Sequence, residues 1–181
     1  MKLRMGILVA ALLCRSTIAG TLTSIPLADG ADTVLVPAGS PVRFDAQQEH
    51  DELRFSGRFV LSGTYYYGDG EFNDGPDFRP EVMFVPDPDI AARLPYFQVR
   101  GHADAIYIEN GREFARAVIP AGTLARASRK GAPHATGRVS VWVDGFAASI
   151  QCDTPNYAAH FVSVYKPGQV ASLGKSPDFP C

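Results

Sequence analysis

Cysteine is scarce in this chain of 181 residues: there are three, and no two stand in a C-x-x-C pair. A redox-active dithiol needs that close spacing, so thiol–disulfide exchange is not expected. Basic charge is not in excess, with 17 Lys and Arg against 19 Asp and Glu. Nonspecific nucleic-acid binding needs a basic footprint, so no nucleic-acid partner is expected. No apolar run reaches the ~20 residues of a membrane span. No G-x-S-x-G or S-x-x-K arrangement marks a nucleophilic serine. The phosphate-loop and dinucleotide fingerprints are missing, since Gly68-Asp-Gly70 has neither a third glycine nor a following helix. No internal repeat is visible.

What is there begins with an export signal. Lys2 and Arg4 give a positive n-region, Met5 to Leu13 an apolar stretch, and Thr17-Ile18-Ala19 a small-x-small cleavage site. Lipid attachment at Cys14 would want a small residue before it, and Leu13 is bulky, so Cys14 belongs to the discarded peptide. Residues 1–19 are therefore expected to be cleaved, leaving residues 20–181 as a single β domain, periplasmic or secreted. Cleavage removes Lys2, Arg4 and Arg15, which makes the mature chain about five charges more acidic than basic. In an oxidising compartment the two remaining cysteines, Cys152 and Cys181, are expected to pair. The bridge would tether a C-terminal tail whose Pro167, Gly168, Gly174, Pro177 and Pro180 resist regular structure.

The most ordered pattern runs from Phe55 to Tyr67. Phe55, Gly57, Phe59, Leu61, Gly63, Tyr65 and Tyr67 alternate with Ser56, Arg58, Ser62 and Thr64, the period-2 mark of a half-buried strand. Thirteen extended residues span about 43 Å, too long for an ordinary strand to stay straight. Gly57 and Gly63 are where a bulge or a close backbone crossing is permitted, and a bend at Gly63 is expected. Shorter strands are expected at 33–36, 41–44, 81–85, 96–100, 105–108 and 156–165, with helical turns at 87–94 and 123–127. Asn110-Gly111 reads as a hairpin joining 105–108 to a strand over 113–119. Residues 138–143 and 146–152 are either two strands bent at Gly145 or one long strand bulged there. The expectation is an all-β fold, a small barrel or a sandwich built on a long bent strand, with one or two short helical turns. In outline such a barrel resembles the oligomer-binding (OB) barrel.

Two groups of residues are candidates for a site. Tyr65, Tyr66 and Tyr67 are consecutive, so at least Tyr66 must leave the core; with Phe72 they offer rings for sugar stacking or protein contact. The plainer reading is a second buried layer. Asp69, Glu71, Asn73, Asp74 and Asp77 put five oxygen side chains into a Gly-rich loop, as a calcium site would. Asp69, Glu71 and Asn73 match the first EF-hand positions, but Asp74 stands where glycine belongs and Pro80 where the closing glutamate belongs. The plainer reading there is turn chemistry. His50, His102, His134 and His160 lack zinc spacing, and the basic stretch Arg126, Arg129, Lys130, His134, Arg138 is short. Calcium is thus the one cofactor the sequence raises.

Two functions from different classes follow. The first is a non-enzymatic exported domain that binds a protein or glycan of the cell envelope. The second is a small hydrolase of cell-wall or extracellular polymer that uses loop carboxylates.

Overall fold

The computed structural model describes residues 22–28, 30, 32–48, 52–69, 79–151, 153–169 and 171–175. The expected signal segment 1–19, the expected Cys152–Cys181 pair and the loop residues Glu71, Phe72, Asn73, Asp74 and Asp77 lie outside them. In chain order the elements are β1 (Thr23–Pro26), β2 (Thr33–Val36), β3 (Arg43–Gln48), β4 (Glu52–Gly68), β5 (Glu81–Pro86), α1 (Pro88–Ala91), β6 (Tyr96–Phe97) and β7 (Ile106–Ile108). They continue with α2 (Gly111–Val118), α3 (Ala121–Ala127), β8 (His134–Gln151), β9 (Thr154–Lys166) and β10 (Ser172–Gly174). None of these helices is long and apolar enough to cross a membrane.

The fold is all-β and is organised on β4. Leu53, Phe55, Phe59, Leu61, Tyr65 and Tyr67 are buried, as the alternation requires. Along one edge β4 pairs with β8; along the other it pairs first with β3 and then with β5. From β5 the ladder passes to β7, then to β9, and from β9 back to β8. Five strands thus form a ring, β4-β5-β7-β9-β8, in which only β7 and β9 run parallel. A parallel neighbour needs a crossover, and α2, α3 and β8 supply it. The strand β7 offers only three residues to the ring, so the architecture is barrel-like without being a clean barrel. A second sheet, β1-β2-β6, packs at its side through Val34 and Phe97. Phe97 donates its N–H to the Tyr157 hydroxyl at 3.1 Å, and that hydroxyl donates to Gly101 O at 3.1 Å.

The bend in β4 falls at Gly57 and not at Gly63. The register against β8 shifts between Phe55 and Arg58, opposite Gly145, where β8 is bulged within one long strand. Gly57 has φ 141°, and a Cβ there would lie 2.7 Å from the Pro41 carbonyl oxygen. Around Gly63 the register runs unbroken on both edges.

Residues 113–119 form no strand: they belong to α2 and its end. Asn110 has φ −101°, outside the left-handed region that the two-residue hairpin turn requires. Its side chain instead grips β9, accepting the Phe161 N–H at 2.8 Å and donating to Phe161 O at 2.9 Å. Phe114, Ala115 and Ile119 are buried, with Val118 packed against the core, a helical spacing. Other differences are smaller. β3 runs from Arg43 to Gln48, beyond the expected end at Phe44, and pairs with β4, and β6 keeps only two of its five expected residues.

Inside the ring, Tyr65 is fully buried and its hydroxyl has no hydrogen-bond partner among the described residues. Burial pushes this phenol up to about 12. A buried unpaired hydroxyl keeps its desolvation cost, about 1–3 kcal/mol. Tyr65→Phe is therefore expected to stabilise the fold by about 1 kcal/mol, read as a higher urea midpoint. A clear loss of stability would mean that the hydroxyl is paired in solution.

Candidate functional site

The alternation of β4 decides the fate of the three tyrosines. Tyr65 and Tyr67 point into the ring, 0% and 4% exposed, so their rings are core and not a binding surface. Tyr66 points outward and is half-buried. Across the ladder it meets Met83 on β5; Met83 meets Tyr107 on β7, and Tyr107 meets Ala158 on β9. Thr64 and Val85 pair one step along. The result is an outward floor of Tyr66, Met83, Val85 and Tyr107, all half-buried.

This floor has an acidic edge. Glu81 pairs with Gly68 where β5 begins. Burial raises the Glu81 carboxyl above the usual carboxylate range, and the nearby Asp69 charge adds to the effect. Burial likewise raises the Tyr107 phenol, helped by the charges of Glu81 and Glu109. Glu109 is held by Arg54 at 2.7 Å, and His160 Nδ1 lies 3.8 Å from its other oxygen. Arg54 also binds Glu52, and Asn110 Nδ2 lies 3.3 Å from His160 Nε2. The α3–β8 connection secures the foot of the acidic loop. Asp69 accepts the Gly131 N–H at 3.1 Å on Oδ2, and its carbonyl oxygen accepts from His134 Nε2 at 2.9 Å. Tyr67 shares a hydrogen bond with Ser128 at 3.0 Å.

Of the calcium candidates, Asp69 is the one within the described residues, and one of its oxygens already serves Gly131. Among the described residues no three His, Cys, Asp or Glu side chains gather as metal ligands. His102 and Asp104 lie on a turn, with the His102 ring 4.0 Å from that of Tyr96. Arg138 leaves the basic stretch to pair with Asp87 at 2.6 Å. Sequence reasoning missed Glu81, Met83, Tyr107 and Glu109. The run 81–85 reads as continuously apolar, yet Val82 and Phe84 are buried while Glu81, Met83 and Val85 face out. The leading glutamate was the signal.

Glu81 gives a pH test. A carboxyl whose folded pKa is raised binds protons in the folded state where the unfolded chain has lost them. Its contribution is fully present at low pH and is lost as pH rises through the folded pKa. Glu81→Gln removes the ionisation, so its thermal midpoint should exceed the wild type's at neutral pH and converge with it in acid. A gap of equal size at both pH values would contradict the raised pKa.

An apolar floor with two tyrosine rings can pack the flat face of a ligand, while the carboxylates beside it accept hydrogen bonds or face a cation. Searches against protein-family models, curated proteins and solved structures find no match for the chain.

Proposed function

We propose that this is an exported binding domain that holds an extended protein or glycan of the cell envelope along the outer β4-β5-β7 face. The observation that carries the reading is the cross-strand row Tyr66–Met83–Tyr107 with Glu81 and Glu109 at its border. In small OB-like barrels the second and third strands of the ring and their adjoining loops receive oligomeric ligands. Here those strands are β5 and β7. In this reading residues 1–19 direct export and Cys152–Cys181 closes the tail, which leaves no alkylatable thiol in the exported protein. The test is co-sedimentation with purified cell-wall glycan and, separately, retention on immobilised envelope proteins. Tyr107→Ala should weaken whichever binding occurs about tenfold, the equivalent of ~1.4 kcal/mol. Binding that ignores both Tyr107→Ala and Tyr66→Ala would remove this face from the reading.

One observation favours a second reading, a hydrolase of extracellular polymer. Burial, with the nearby Asp69 charge, makes Glu81 hold its proton more tightly than usual, and a carboxyl raised in this way can serve as a general acid. Turnover of a glycan, ester or peptide substrate that disappears in Glu81→Gln would replace the binding reading with this one.

A further inference from the structure

The outer side of β8 carries a second cluster, away from the Tyr66–Tyr107 row. Val139, Val141 and Val143 are buried, so Ser140, Trp142 and Asp144 face outward. Trp142 is the only tryptophan in the chain, and it stands half-exposed in an otherwise polar row. Tyr165 is brought to it by an irregularity in β9. Val164 pairs with Val141 and Lys166 with Ser140, so Tyr165 is the extra residue squeezed out of the ladder. Its ring, 47% exposed, stands at 74° to the Trp142 ring with centroids 5.4 Å apart. The Lys166 ammonium lies 5.2 Å from the centre of the Tyr165 ring. On the neighbouring strand Ser62 donates to the Ser140 hydroxyl at 2.8 Å.

We propose that this aromatic corner is a saccharide-binding site that takes a pyranose unit of an extracellular glycan. A pyranose has an apolar C–H face and a rim of hydroxyls that both donate and accept. The perpendicular rings provide a face for the first, and Ser62, Ser140, Asp144 and Lys166 provide partners for the second. A purely apolar partner would bury those polar groups without compensation. A nucleic acid would bring phosphates against Asp144 on a chain whose net charge is already −2. A strand-like peptide has no open edge to pair with, because β8 is hydrogen-bonded here to both β4 and β9. A sugar ring satisfies both halves of the surface.

The sole tryptophan makes the test direct. Mature protein is applied to an array of neutral, amino and acidic pyranose oligosaccharides, and the best binder is titrated against Trp142 emission. Saturable binding with an emission change is expected, about tenfold or more weaker in Tyr165→Ala. It should persist in Tyr107→Ala, which separates this site from the β5–β7 face. Tyr165 is exposed, so its variant should keep the wild-type thermal midpoint, and Trp142→Phe, which keeps a ring but removes the emission, should retain part of the binding on the array. No saturable binding on the whole array, or binding unchanged in Tyr165→Ala, would overturn the proposal.

Discussion

Phe114→Ala is expected to lower stability by about 3–5 kcal/mol, the usual loss for a buried phenylalanine. Phe114 is fully buried and touches rings from three strands: Tyr65 of β4 at 5.3 Å, Phe84 of β5 at 6.3 Å and Phe161 of β9 at 5.4 Å. All three contacts are close to perpendicular, the arrangement ring quadrupoles favour. α2 has eight residues, too few to hold a helix in water without packing. Truncation therefore leaves a void and also releases the helix. The ring of strands is thinnest just before it, at β7, so the damage should reach the Glu109 and Asn110 contacts that follow. Arg112→Ala, on the exposed side of the same helix, should stay within about 0.5 kcal/mol. Urea unfolding of both variants checks this. A Phe114→Ala loss below about 1 kcal/mol would show that the core closes over the gap, against the lower end of such losses.

The parts of this fold that could be read in advance rest on local patterns. The alternation in β4 is periodic over more than a dozen residues and is broken by glycine at the bend. The bulge at Gly145 and the turn after Asp87 carry their own local marks. The ring could not be read in this way, because it is closed by β7 and β9. A parallel pair has no turn between its members to announce it. α2 was misread for a related reason. Asn110-Gly111 is a strong hairpin signal locally, yet the Asn110 side chain is used on the backbone of Phe161, 51 residues away. The candidate site was legible only at Tyr66, since Glu81, Met83 and Tyr107 become neighbours through ladder register. Trp142 was missed although a signal for it exists: Val139, Val141 and Val143 fix the inward row, which leaves a tryptophan between Ser140 and Asp144 on the wet side.

Gly63→Val is expected to cost about 2–4 kcal/mol, by close approach and not by a bend. Gly63 faces inward between Leu61 and Tyr65, both fully buried. It pairs with Pro86 on one side and Val139 on the other, with no shift of register on either edge. What fills the place of its side chain is β5. A Cβ would collide with the Val85 carbonyl oxygen and lie 2.9 Å from both Phe84 Cε1 and Pro86 Cα. Two of those three atoms are backbone and cannot step aside by changing rotamer. Valine is the better strand former, so a strand free of β5 would gain from the change. The two effects have opposite signs, and the contact should win because even the first carbon has no room. Gly63→Ala isolates that carbon: it should already destabilise, by a smaller amount, where relief of glycine's backbone entropy would stabilise. Thermal or urea unfolding of the pair decides. A raised midpoint for both would show that β5 moves off β4 without penalty. The outward row from Tyr66 to Met83 would then lose its fixed spacing, because the same ladder sets it.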